Sequence, residues 1–187
     1  MNLPAINKEW TLFLDRDGVI NNEKHNSYIF NKSEFTFMLE ADQAVAELSR
    51  MFGRTIIVTN QRGVGRGFMT HEDLQGIHDF MSEEVTRLGG RIDSIFYCAD
   101  IDSNSPNRKP QPGMALQARE AYPEIDFSKS IMVGNTLSDM DFGRRSGMFT
   151  VFIQSTLPDL AIPHEWIDVA FPLLRDFKAA LSSQAKQ

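Results

Sequence analysis

Cysteine is all but missing from this chain. Cys98 stands alone among 187 residues, which excludes an internal disulfide and a Cys-rich zinc site and fits a reducing compartment. Positive charge is also short, with 19 Lys and Arg against 25 Asp and Glu. The resulting net charge of −6 argues against a nucleic-acid partner held on a basic surface, while leaving room for a local basic pocket around a small anion. No apolar run approaches a membrane span, and the amino terminus lacks a basic segment followed by an apolar core. No membrane partner is therefore expected, and the chain reads as cytoplasmic. The histidines His25, His71, His78 and His164 show no ligand spacing and read as surface or helix residues. Repeats, low-complexity tracts and linkers are absent too. With 42% hydrophobic residues there is material for one well-buried core but not the length for two, so residues 1–187 are expected to form a single domain.

What is present is a regular alternation. Short β-rich apolar runs at Trp10–Leu14, Thr55–Thr59, Ser94–Cys98, Ser130–Val133 and Phe149–Ile153 are separated by amphipathic stretches. Ala41, Ala44, Val45, Leu48, Met51 and Phe52 recur at helical spacing, and Gly53 is expected to close that helix in a left-handed conformation. Leu74, Ile77, Met81, Val85 and Leu88 repeat the pattern between a Thr70–Asp73 cap and Gly89-Gly90. Further helices are expected over 113–122 and 137–146. The tail from Ile167 should add an edge strand and a helix through Leu173, Leu174, Phe177 and Leu181, with the last residues frayed. Such alternation predicts an α/β fold, a parallel sheet covered on both faces through right-handed crossovers. Two irregular stretches, 21–36 and 100–112, each follow a strand at the end where open α/β sheets bind ligands. Neither is long enough for an independent cap domain, and Phe35 in the first and Phe37 just after it read as core rather than a sugar-stacking platform.

Polar clusters close four of these strands. Asp15-Arg16-Asp17-Gly18 places two carboxylates where an apolar strand leaves the core, because a buried strand cannot carry a charge. In extended backbone Asp15 and Asp17 share a side while Arg16 points away. Two carboxylates facing one pocket want a cation, though the same pattern occurs in plain turns and calcium loops. Thr59-Asn60-Gln61, followed by a Gly-rich turn, offers a hydroxyl and free N–H groups to a phosphate, or else is a polar strand end with a flexible loop. Arg108-Lys109-Pro110 supplies a cation on a stiffened approach, or is a solvated basic pair. Gly134-Asn135-Thr136-Leu137-Ser138-Asp139 again runs into polar and acidic residues, or caps the next helix through Ser138 or Asn135. Parallel strands would bring all four clusters to one crevice, where phosphoryl transfer is their simplest common reading.

With Asp15-Arg16-Asp17-Gly18, Thr59, Lys109 and Gly134 to Asp139 in this order, the chain resembles the haloacid dehalogenase superfamily of phosphatases over most of its length. Phe13 to Asn21, Thr59-Asn60-Gln61, Arg66-Gly67-Phe68 and the segment from Arg108 to Met114 are similar to the branch holding heptose bisphosphate and histidinol-phosphate phosphatases. The resemblance implies a three-layer, Rossmann-like fold with a minimal cap. It also implies Asp15 as nucleophile, Asp17 as general acid and base, and Thr59 and Lys109 as holders of the phosphoryl group. Mg²⁺ would be bound by Asp15, Asp17, Asn135 and Asp139, and substrate by Asn60, Gln61, Arg66 and Arg108. The implied substrate is a small phosphorylated metabolite of the heptose bisphosphate type.

Two positions depart from that pattern. Asn135 stands where the family normally has an acidic metal ligand, so a negative charge is missing and weaker Mg²⁺ binding is expected. The stretch 100–107 holds no Cys or His where the heptose branch commonly carries a zinc loop. No zinc is expected, which loosens the link to a heptose substrate, and Cys98 reads as a buried strand residue. Histidinol phosphate is the alternative substrate, a catalytically silent binding protein the alternative class, and a nucleic-acid end phosphatase is disfavoured by the missing basic surface. Nothing in the sequence signals an oligomeric state.

Overall fold

The computed structural model describes residues 3–24 and 26–184, so His25 and the frayed end expected at 185–187 lie outside the described residues. Six strands, β1 (Thr11–Leu14), β2 (Arg54–Asn60), β3 (Ser94–Cys98), β4 (Ser130–Gly134), β5 (Phe149–Ile153) and β6 (Val169–Phe171), build one sheet. Their order is β3-β2-β1-β4-β5-β6, and every pair is parallel. The helices are α1 (Ala41–Met51), α2 (Arg62–Gly65), α3 (His71–Arg87), α4 (Gly113–Ala121), α5 (Leu137–Ser146) and α6 (Leu174–Gln184). The single-turn α2 lies where only a Gly-rich turn is expected from sequence.

The central strand β1 is buried throughout because helices cover both of its faces. Alternation divides its side chains. Leu12 and Leu14 pack with α1, α3 and α6 residues such as Val45, Ile77 and Phe177, whereas Phe13 packs with Met114 and Ala118 of α4 and Phe142 of α5. These two clusters are the upper and lower layers of the three-layer α/β arrangement. The chain moves outward from β1 through β2 to β3 and then returns to β4 on the other side of β1. Strand order thus reverses at β1, and a crevice opens at the carboxyl ends of β1, β2 and β4.

The loops stay low over this end. In the stretch 21–36, Ile29 and Phe35 are buried, and Phe35 meets Phe37 and Phe80 of α3 edge to face, at 5.0 and 5.9 Å. The segment is therefore pulled into the core and leaves only a minimal cap. Thr70 and Asp73 form the expected reciprocal cap of α3. Gly53 does not take the left-handed conformation: Phe52 ends α1 in extended backbone, and Gly53 is needed because a Cβ there would lie 2.0 Å from the Lys8 carbonyl oxygen. Cys98 is buried in β3, and burial pushes its thiol up from the ordinary range.

Candidate active site

At the end of β1 the backbone N–H of Asp15 donates to the Val133 carbonyl at 2.9 Å, which seats Asp15 beside Gly134 and the start of the Asn135 turn. The Asp15 carboxylate is met by Lys109, whose Nζ lies 2.9 Å from Asp15 Oδ1, 2.6 Å from Asp139 Oδ1 and 2.8 Å from the Val58 carbonyl. Those contacts match the three protons of an ammonium. Asn60 fixes the backbone of Lys109 from both sides, accepting from its N–H at 3.1 Å and donating to its carbonyl at 3.2 Å. Burial pushes the Asp15 carboxyl up to about 7, with Asp139 and Asp17 adding to the shift and Lys109 only partly opposing it. Burial would lower Lys109, but the charges of Asp139 and Asp15 outweigh it and hold the ammonium above its usual range.

Asp139 has neither oxygen free. While Oδ1 holds Lys109, Oδ2 accepts from Thr136 N–H at 3.0 Å, Thr136 Oγ1 at 2.7 Å and Asn135 N–H at 3.2 Å. The cap of α5 is thus a box between Thr136 and Asp139, and neither Ser138 nor Asn135 provides it.

Asp17 sits in a cage of donors. Arg16 Nη2 reaches both its oxygens at 2.9 Å, Asn21 Nδ2 donates at 3.0 Å and Gln61 Nε2 at 2.8 Å. Burial would raise its carboxyl, yet the Arg16 charge and these hydrogen bonds together hold it below the usual range. Arg16 does not point away as alternation suggests. It is buried, with Nη1 3.3 Å from His78 Nε2 and Nη2 3.2 Å from Gln61 Oε1. Burial and the neighbouring guanidinium push His78 down to about 3, so the ring is neutral and its Nε2 lone pair accepts from Arg16.

Asp15, Asp17, Thr59, Asn60, Arg108 and Lys109 line one cleft of about 280 Å³ together with Thr136, Ser138 and Asp139. Of the expected substrate contacts, Asn60 and Arg108 reach this cleft. Gln61 is buried and spends its amide on Asp17, Thr59 and Arg16, while Arg66 donates to the Tyr28 hydroxyl at 3.0 Å, off the cleft wall. A larger depression, about 660 Å³, lies at the amino-terminal ends of β1, β2 and β4. Its cations Arg54, Lys129 and Arg91 are paired with Glu124, Glu9 and Asp93, while Lys8 is spent on the Arg50 and Phe52 carbonyls.

The oxygens around Asp15 fit a hard divalent cation. Asn135 is fully buried and its Nδ2 donates to Thr156 Oγ1 at 2.5 Å, but its Oδ1 meets no donor among the described residues. A buried acceptor left unpaired is costly, and a cation is a partner that would meet it. Asn135 Oδ1, the Asp15 carboxylate and the Asp17 carbonyl are all oxygen donors, the kind Mg²⁺ prefers. Arg16, Asn21, His78 and Thr136 are the residues that sequence reasoning missed. Of these only Thr136, in a Thr-x-x-Asp frame, carried a local signal.

Comparison with known proteins agrees with this fold. The family described as HAD-hydrolase-like matches residues 106–159. D-glycero-D-manno-heptose-1,7-bisphosphate 7-phosphatase of Chlorobaculum tepidum is 33% identical over 77% of this chain and 78% of its own. D-glycero-beta-D-manno-heptose-1,7-bisphosphate 7-phosphatase of Helicobacter pylori is 31% identical over 92% and 96%. Among solved structures, D,D-heptose 1,7-bisphosphate phosphatase from B. bronchiseptica, complexed with magnesium and phosphate, superposes with a TM-score of 0.84 at 26% identity, covering 94% of this chain and 99% of that one.

Proposed function

We propose a reaction and a substrate class for a chain that belongs to the haloacid-dehalogenase-like hydrolases, in the D-glycero-D-manno-heptose-1,7-bisphosphate 7-phosphatase family. It is a phosphatase of that superfamily. Asp15 is the nucleophile, and the observation that carries this reading is its buried carboxylate, held at 2.9 Å by Lys109 on the wall of the cleft. An Asp15 oxygen attacks phosphorus as the bond to the departing alcohol breaks, giving an aspartyl phosphate. Asp17, which its donor cage holds as a carboxylate in the free protein, must first take up a proton, and it then hands that proton to the leaving oxygen. As a carboxylate it then takes a proton from the water that attacks the same phosphorus, and Asp15 is released with inorganic phosphate.

Thr59 donates to a phosphoryl oxygen, and Lys109 does so by turning the proton it holds on Asp15 toward the phosphoryl group as Asp15 bonds to phosphorus. Asn60 keeps Lys109 in place, Gln61 keeps Asp17 and Thr59 in place, and Asp139 anchors the Lys109 ammonium. Mg²⁺ held by the Asp15 carboxylate, the Asp17 carbonyl and Asn135 Oδ1 would supply positive charge against the phosphoryl group. Arg108, on the cleft wall, meets the rest of the substrate.

The substrate class is a sugar phosphate such as D-glycero-D-manno-heptose 1,7-bisphosphate, supported by the relatives that carry this activity in their names. Residues 1–187 would act as one domain, in the cytoplasm. Turnover of the heptose bisphosphate and of histidinol phosphate, measured side by side with Mg²⁺ and with Asp15→Asn as the blank, tests the assignment. A higher kcat/KM for histidinol phosphate would transfer the enzyme to the other substrate.

A further inference from the structure

The unpaired oxygen of Asn135 raises the question of what holds an amide, whose two ends are chemically opposite, in one orientation. Thr156 Oγ1 lies 2.5 Å from Asn135 Nδ2 and 2.7 Å from Glu23 Oε1. A carboxylate oxygen only accepts, so the single hydroxyl proton of Thr156 goes to Glu23. What remains on Oγ1 is lone pairs, which only a donor can meet. Asn135 must therefore present its NH₂ to Thr156, and its Oδ1 must face the other way, where no donor among the described residues reaches it. The orientation of the amide follows from hydrogen-bond valence alone.

The surrounding loops are built to keep this contact. Thr156 follows β5, and Glu23 comes from the stretch after β1, so two distant segments close on Asn135. Ser155 Oγ donates to the Gly18 carbonyl at 2.5 Å and ties the first segment to the turn that carries Asp17. Gly18 has φ +78, and a Cβ on it would stand 2.0 Å from Asn135 Nδ2 and 3.1 Å from Thr156 Oγ1. The amide is thus packed against bare backbone.

We infer that Thr156, backed by Glu23, is a positioning residue that turns the Asn135 oxygen toward the cation, an inference that rests on reading Asn135 as a metal ligand. A flipped amide would set Oδ1 against a hydroxyl oxygen whose proton is already committed. A carboxylate at position 135 would need no such device, because its two oxygens are alike. The relay is the counterpart of having an amide there. Glu23 is solvent-exposed, so Thr156 carries the larger share.

Titration of Mg²⁺ into metal-free full-length protein, followed by calorimetry and by the thermal midpoint with and without the ion, tests this without any assay of turnover. Thr156→Val is expected to weaken Mg²⁺ about tenfold or more, as loss of a group behind a metal ligand commonly does, and Thr156→Ser to restore it. In an Asn135→Asp background the same Thr156→Val change should cost no more than about twofold, since the coupling runs through the amide. Unchanged affinity in Thr156→Val, or an equal loss in both backgrounds, overturns the relay. Asn135→Leu separates the two claims. If it binds Mg²⁺ as the natural protein does, the ligand reading fails and the relay with it; if it loses Mg²⁺ while Thr156→Val does not, the relay alone fails.

Discussion

Lys109 Nζ lies 2.6 Å from Asp139 Oδ1, nearer than the 2.9 Å that separates it from Asp15. Because Asp139 is itself pinned by two N–H groups and a hydroxyl, the ammonium rests on a fixed anion and is delivered to Asp15 rather than sharing it evenly. Asp139→Asn keeps the shape but leaves a buried ammonium with one counter-charge. Breaking a buried pair in this way costs on the order of 3 kcal/mol. Chemical denaturation should show that loss, and kcat should fall with it because Lys109 is no longer held in place. A variant of natural stability would mean that Asp139 is only a helix cap.

Asp15→Asn should remove turnover by a factor on the order of 10³ or more, the expected penalty for deleting a covalent nucleophile. Its fold should survive. The buried Asp15 carboxylate is an electrostatic burden, while Lys109 retains Asp139 and Val58 as partners. The metal-free variant is therefore expected to melt no lower than the natural protein. Substantial residual turnover after Asp15→Asn would remove Asp15 from the role of nucleophile.

Much of this arrangement is written locally in the chain. The run Thr11–Leu14 is apolar or small at every position because both faces of β1 are covered, and Asp15 falls at the first position able to carry a charge. The apolar periodicity of α1 and α3 is equally local. Alternation misplaces Arg16 because a period of two holds only while the backbone stays extended. After Leu14 the chain doubles back, with Ile20 N–H bonded to the Arg16 carbonyl at 2.8 Å, and the guanidinium comes round to grip Asp17. His78 is 62 residues from Arg16 and shows only as a polar position on α3, since no spacing rule reports a contact of that range. The Asn135 cap was a contest among three neighbouring polar residues. Thr136 wins because it alone is extended immediately before α5 and three residues ahead of Asp139.

The donor cage around Asp17 sets up a leaving-group test. An alkoxide needs a proton as it departs, whereas an aryl oxide is stable enough to leave without one. Asp17→Asn should therefore lower kcat/KM for a sugar phosphate by about 10²-fold or more, within the usual range for general acid catalysis, and spare a nitrophenyl phosphate by comparison. Arg16→Met, which removes the strongest contact of Asp17, should show the same selectivity in smaller degree. Equal losses on both substrates would point to a structural role for Asp17.

His78 adds a pH dependence to the fold itself. Facing it are Arg16 and Asp17 from the turn after β1 and Tyr97 from β3, whose ring centroid lies 5.9 Å from the imidazole. Burial and the Arg16 charge depress its folded value from 6.5 to about 3, and the nearby Asp17 only partly offsets them. A depressed folded value means that the unfolded chain binds the proton more readily. The neutral-ring contribution to stability is thus whole above about pH 6.5 and drains away as pH falls toward 3. By pH 5 the loss is on the order of 2 kcal/mol, from one and a half units of uncompensated protonation. His78→Gln retains an acceptor for Arg16 but cannot titrate. Denaturation curves of the two proteins should therefore lie close together at pH 7 and separate on acidification, with the natural protein losing stability faster. Parallel curves down to pH 5 would show that His78 is not held neutral against Arg16.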